Sequence, residues 1–185
     1  MRIISLFIAV SILFAGCNKQ NDAIEKALSI RSRLNESGCE FSVQITADYS
    51  THTYEFEMEC SVTKSGELRF VVMKPDSISG ITGVFAAENG QLSFADKLLA
   101  FSPLSEGLLT PVAAPWVFYS ALVGGYISTV GECEEGYRLQ VDDTFDGHTL
   151  LVDIITDTDL IPLTAQIYWE GSRILSLCIE RFRIV

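Results

Sequence analysis

The sequence predicts an α+β domain, mainly β: about ten antiparallel strands in meander order, one helix ahead of them and one short helix inserted midway. Three observations carry this. From Phe41 onward, apolar residues alternate with polar ones, the period-two mark of a sheet with one buried face. Turn chemistry recurs between the alternating runs, at Lys64-Ser65-Gly66, Glu88-Asn89-Gly90, Glu134-Glu135-Gly136, Asp157-Thr158-Asp159 and Gly171-Ser172. Only two stretches depart from the period, one over residues 23–36 and one around Trp116.

Ahead of the domain lies a sorting signal. Arg2 supplies a positive start, Ile3 to Phe14 is almost unbroken apolar sequence, and the small residues Ala15 and Gly16 close it. The run is too short to span a bilayer, which takes roughly 20 apolar residues, and fits the apolar core of a secretory signal instead. Leu13-Phe14-Ala15-Gly16-Cys17 resembles the lipobox of bacterial lipoproteins, with Phe14 where Leu is usual. The resemblance implies a diacylglycerol thioether on Cys17 and cleavage before it. The other readings are a plain signal peptide, with Cys17 a bystander, or a short uncleaved anchor. The expected organisation is a signal peptide over 1–16, a lipidated tether over 17–22 and one domain over 23–185.

Of the 13 basic residues only Arg2 lies in the signal. The remainder therefore sets 12 basic against 24 acidic residues, a net charge near −12. That balance excludes a nucleic-acid partner and a basic phosphate groove. It also leaves acyl chains, at about 0.8 kcal/mol per buried CH₂, to attach the domain to a membrane. Cys39, Cys60, Cys133 and Cys178 show no zinc spacing, and the chain has only two histidines, His52 and His148. We therefore expect no metal and no cofactor.

The first helix spans about Ala23 to Glu36. Ala23, Ile24, Ala27, Leu28, Ile30 and Leu34 form one stripe, Asp22 with Glu25 makes a capping box, and Ser37-Gly38 ends it. Phe41 to Ala47 and Tyr54 to Met58 then form a hairpin. If it turns near Tyr49-Ser50, facing residues have numbers summing to about 99, which sets Cys39 opposite Cys60 on the apolar side. A Cys39–Cys60 disulfide is the expectation there; the alternative is that the cysteines are small buried hydrophobes.

Strands follow at Glu67–Lys74, Gly80–Ala87, Gln91–Ala95 and Leu98–Ser102, with Pro75 ending the first of these. The segment Trp116-Val117-Phe118-Tyr119-Ser120-Ala121-Leu122-Val123, preceded by Pro111 and Pro115 and stopped by Gly124-Gly125, reads as a helix with proline in its first turn. Apolar nearly all round, it must be covered on more than one side. Strands resume at Tyr126–Cys133, Tyr137–Val141, His148–Ile155, Leu163–Glu170 and Arg173–Ile184.

This order of elements resembles the LolA/LolB-like bacterial lipoprotein superfamily, including spore germination lipoproteins of the GerS type. The phrases that carry it are Ser29 to Leu34, Gly66 to Val72 leading to Lys74-Pro75, and Val152-Asp153-Ile154 through Asp159 to Pro162 and on to Ala165–Tyr168. The resemblance implies a strongly curved antiparallel sheet forming a half-open barrel, with helices covering its concave face. It also implies no cofactor and no catalytic residues, with acyl chains bound in some members and a partner protein in others. Two functions follow as expectations. One is a membrane-anchored, extracytoplasmic binding module for an envelope protein; the other is a binder or carrier of a lipid or other hydrophobic ligand.

Trp116, Phe118, Tyr119 and Leu122 are the candidate ligand site, as a lid over an apolar cavity or as a plug within the core. Asp142 to Gly147 with Asp153 has part of a calcium-loop spacing, but Thr144 stands at a ligand position and the flanks read as strands, so a solvated turn is expected. There is no GxSxG, no HExxH and no carboxylate pair singled out by spacing. The chain is not expected to be an enzyme.

Overall fold

The computed structural model describes residues 23–49, 52–86, 89–94, 97–101, 104–105, 108–145 and 148–185. The segments expected to be a signal peptide and a lipidated tether, with Cys17, lie outside the described residues, as do Ser50 of the hairpin tip and Asp146-Gly147 of the acidic run. Among the described residues no helix is long and apolar enough to cross a membrane.

Among the described residues, two helices and thirteen strands follow in chain order. Helix α1 covers residues 23–37. The first run of strands is β1 (Cys39–Tyr49), β2 (His52–Val62), β3 (Leu68–Lys74), β4 (Thr82–Ala86), β5 (Asn89–Phe94) and β6 (Lys97–Phe101). A short hairpin, β7 (Leu104–Ser105) with β8 (Leu108–Leu109), was not anticipated from sequence, being too brief to show a period. Helix α2 (Ala114–Gly124) comes next. The second run is β9 (Tyr126–Glu132), β10 (Tyr137–Phe145), β11 (His148–Thr156), β12 (Pro162–Trp169) and β13 (Ser172–Ile184).

Eleven of these strands form one antiparallel sheet in the order β6-β5-β4-β3-β2-β1-β13-β12-β11-β10-β9. The sequence reading of a single meander therefore needs refining. There are two meanders, joined at the centre where β1 pairs with β13. The chain runs outward from β1 to β6 at one edge, then reappears at the other edge as β9. Helix α2 lies in that crossover, and this explains its composition. A segment that passes over the inner face of a curved sheet meets apolar side chains on several sides, so an all-round apolar surface is what it needs.

Alternation sets the core. Cys39, Phe41, Val43, Ile45 and Ala47 on β1 are buried, as are Met58, Cys60 and Val62 on β2 and Leu150, Val152 and Ile154 on β11. Ala23, Ala27, Ile30 and Leu34 of α1 and most of α2 belong to the same apolar cluster, so both helices cover the one face. Gly83 on β4 is required by close approach: a Cβ there would collide with the ring of Phe70, which faces it across the ladder. Gly38, between α1 and β1, has φ +105°, and a Cβ there would strike the Val62 carbonyl.

The β1–β2 register corrects one expectation. Cys39 faces Val62, and Cys60 faces Phe41. The hairpin turns one residue later than expected, so facing pairs move by two; the buried face stays the same and the two cysteines become diagonal neighbours. Both are buried and carry free thiols, as do the half-buried Cys133 and the exposed Cys178.

Candidate functional site: the α2 plug, the outer face and a free sheet edge

Helix α2 is built for burial. A turn of 3-10 helix over Pro111–Ala113 leads into it, and Pro115 sits in its first turn, where a missing N–H costs nothing. Trp116, Phe118, Tyr119 and Leu122 are all buried, together with Ala114, Pro115, Val117 and Ala121. Phe118 meets Phe41 of β1 edge-to-face at 5.7 Å between ring centroids, and Trp116 stacks on Phe85 of β4 at 6.1 Å. Trp116 also leans on Tyr119 at 6.4 Å. At the other end a Cβ on Gly125 would strike Val141 of β10. The helix thus touches strands from both meanders. The four predicted site residues are buried together in the core.

Two polar features stand out in this packing. Arg31 of α1 donates from Nε to the Leu122 carbonyl at 2.7 Å and from Nη2 to the Ala121 carbonyl at 3.1 Å. It thereby gives the Leu122 carbonyl at the helix end a donor, adds a second donor to the Ala121 carbonyl that already accepts from Gly125 N–H, and places a cation at the negative end of the helix dipole. Burial lowers the Arg31 pKa, and the charge of Asp143 works against that shift. Asp143 itself is pushed up by burial, against the Ser120 hydroxyl, the Thr144 N–H and Arg31. The second feature is Trp116 Nε1, which is buried without a hydrogen-bond partner among the described residues. Beside it, burial pushes the Tyr119 hydroxyl up to about 12, and it does the same to the Cys39 thiol.

The acidic run resolves as strand. Asp142 to Phe145 belong to β10 and pair with His148 to Leu151, so Asp142 and Asp143 point to opposite faces. Asp143 goes inward to the α1–α2 contact, and no loop gathers these carboxylates among the described residues. Groups of three or more metal-ligating side chains are likewise absent among the described residues.

The outer face carries two features that sequence reading missed. A trough of about 870 Å³ crosses β13, β1, β2, β3 and β4, with Glu40, Glu59, Arg69, Arg181 and Arg183 among its walls. Arg183 pairs with Glu40 and Arg181 with Glu59 at 3.3 Å. A bulge in β13 puts these arginines outside. Phe41 of β1 lies opposite two residues, between the pairs Glu40–Arg183 and Ser42–Glu180, and Arg181 has φ +52°. Leu175, Leu177 and Ile179 face the core at odd numbers, whereas Phe182 and Ile184 pack against it at even ones. That change of parity was visible in the sequence and is the signal that would have found the bulge.

The second feature is a hollow of about 450 Å³ over β10–β12. In it Arg138 forks onto Asp153, with Nε to Oδ1 at 2.8 Å and Nη2 to Oδ2 at 2.5 Å. Asp153 is buried although it lies on the outer side of β11, while the Arg138 side chain is about half exposed.

Finally, β9 forms one edge of the sheet and, among the described residues, has a strand on one side only. Ser128, Thr129 and Gly131 are exposed, and Tyr126 is 74% exposed.

No family model matches the sequence, and no curated protein matches it. Solved structures do match the fold. An uncharacterized conserved protein from Thermus thermophilus is 14% identical, with 85% of each chain covered and a TM-score of 0.50. A LolA superfamily protein from Nitrosomonas europaea is 10% identical over 90% of this chain and 93% of that one, with a TM-score of 0.49. A domain from Vibrio parahaemolyticus described as a putative outer membrane lipoprotein-sorting protein is 8% identical over 89% and 93%, again at 0.49. At such identities the likeness is one of fold. The chain itself folds as an unclosed, curved antiparallel sheet with an N-terminal helix and an inserted helix on its inner face.

Proposed function

We propose that this chain is an extracytoplasmic lipoprotein, held at a membrane by acyl chains on Cys17, that acts as a non-catalytic module binding another envelope protein. The observation that carries the reading is the burial of α2. With Trp116, Phe118, Tyr119 and Leu122 occupied in core packing, the binding surfaces left to the domain are its outer face and its sheet edge. A lipobox without a second hydrophobic span supports a resident of the membrane surface in preference to a shuttle.

Crosslinking on intact cells, followed by purification from detergent-solubilised membranes, tests this. A defined heteromeric complex is expected, and Cys17→Ser is expected to move the protein into the soluble extracytoplasmic fraction. Recovery of unbound monomer alone at near-native concentration would overturn the partner reading. Membrane retention of the serine variant would overturn the anchor.

One observation favours a second reading, a binder of a lipid or other hydrophobic ligand. The Trp116 indole N–H is buried with no acceptor among the described residues, and a ligand carbonyl reaching α2 would supply one. Native mass spectrometry of the purified protein decides it: acyl chains in near-stoichiometric amount support the reading, and their absence removes it.

A further inference from the structure

The partner reading leaves open which surface is used and what chemistry it recognises, and the β9 edge answers both. An edge strand presents a row of backbone N–H and C=O groups to any chain that comes alongside, and proteins guard such edges with lysine, proline, bulges, short length or cover. Strand β9 is seven residues long, Tyr-Ile-Ser-Thr-Val-Gly-Glu, with neither lysine nor proline. Its one irregularity is a bulge: Thr129 faces Gln140 and Ile127 faces Val141, leaving Ser128 extra, its hydroxyl donating to the Gln140 carbonyl at 3.1 Å.

The surroundings of this edge are one-signed. Glu132 ends the strand, Glu134 and Glu135 stand exposed in the turn that follows, and Asp142 lies beside Tyr126 at the other end. The nearby cations are engaged: Lys26 lies 5.5 Å from the centre of the Tyr137 ring and donates to its hydroxyl at 3.4 Å, while Arg138 is held by Asp153. A second copy of this chain would bring acid against acid along the same edge, and the whole chain carries a formal charge of −11. An acidic partner meets the same repulsion. A basic one is drawn in by the field of the whole molecule and matched locally at both ends of the strand.

We propose that β9 is the docking strand for an extended, basic segment of a partner protein, which adds to the sheet edge by backbone hydrogen bonds and sets its cations against the acidic residues at either end of β9. This rests on the partner reading above.

The test uses the full-length, detergent-solubilised lipoprotein and three peptides: alternating valine and lysine, the same with alternate backbone amides methylated, and an alternating valine–glutamate twin. Hydrogen exchange by mass spectrometry is expected to show the lysine peptide protecting the amides of residues 126–132, and the effect is expected to weaken with added salt. Binding should fall at least about tenfold for the methylated peptide, which keeps the charge but loses the donors, and for the glutamate twin. The double variant Glu134→Lys/Glu135→Lys, confined to exposed turn residues, should lose a similar factor. Equal binding of the methylated or acidic peptide, or protection anywhere but β9, or none, overturns the proposal. A native complex that survives in the double variant also removes this site while the partner reading stands. If the wild-type protein yields no native complex, the partner reading fails, whatever the peptides do.

Discussion

At the scale of the residue, burial decides which groups react. Cys39 and Cys60 lie in the core, where desolvation raises both thiols, Cys39 up to about 12. A thiol must ionise to act as a nucleophile, so neither should be modified in the folded domain. Mild alkylation at pH 8 is expected to label Cys178 first and Cys133 more slowly, with Cys39 and Cys60 reacting only after unfolding. Mass mapping of the alkylated protein checks the order, and denaturation without reductant should then open all four. A non-reacting Cys39–Cys60 pair under those conditions would restore the disulfide that the sequence suggested.

Asp143 gives a pH signature at the same scale. Its folded-state pKa is raised, chiefly by burial, so folding favours the protonated form. The contribution is therefore fully present below the unfolded value, about 3.9, and is lost as pH rises through the raised folded value. Asp143→Asn is expected to match the wild type on the acid side and to be the more stable of the two at neutral pH. Urea midpoints at the two pH values measure this. An Asn variant weaker at neutral pH would show that the attraction of Arg31 outweighs the burial cost.

At the scale of the element, the β13 bulge is the feature on which side-chain placement depends. An L-residue in the left-handed region costs about 1–2 kcal/mol, and Arg181 is held there by the core packing of Phe182 and Ile184. Deleting Arg181 would restore simple alternation with Phe182 and Ile184 still facing inward and Arg183 outward, because Phe41 would then face Phe182 alone. The deletion should therefore be tolerated, removing the left-handed residue at the loss of one exposed ion pair. Arg181→Gly keeps the bulge and relieves the backbone; losing the exposed pair with Glu59 costs at most about 1 kcal/mol, so its thermal midpoint should stay near that of the wild type. A deletion variant that melts well below Arg181→Gly would mean that the strand needs the bulge itself for its shape.

At the scale of the whole molecule, the second meander is fastened by one ion pair on its outer face. Asp153 is buried under Arg138, and removing the arginine leaves a carboxylate with its partner gone. Arg138→Ala should lower the denaturant midpoint, because Asp153 is left buried without its cation. The double variant Arg138→Met/Asp153→Leu should recover most of the drop, and denaturant unfolding of both distinguishes a paired charge from simple lost packing. Full recovery would identify the pair as a device for register more than for stability.

Much of this was legible in sequence because alternation is a local property: the strands of both meanders and helix α1 follow from their periods. The plug residues were also legible as a group, since an all-round apolar helix in an otherwise alternating chain must be covered. The register of β1 on β2 was not, because it hangs on where a turn closes within one residue. Nor was the neighbour of β1. That β13 returns to lie beside it depends on contacts between residues as distant as Cys39 and Ile184, which no local pattern records.

The expectation of a lipobox at Cys17, the acidic balance, and the existence and faces of most elements come from the sequence itself, because each depends on near neighbours and composition. The tertiary structure alone decided that α2 is buried against the inner face, that Arg181 and Arg183 look outward and that β9 and β6 end the sheet. Those are consequences of where the chain returns to itself, and only the full set of long-range pairings determines which strands are left at the edges.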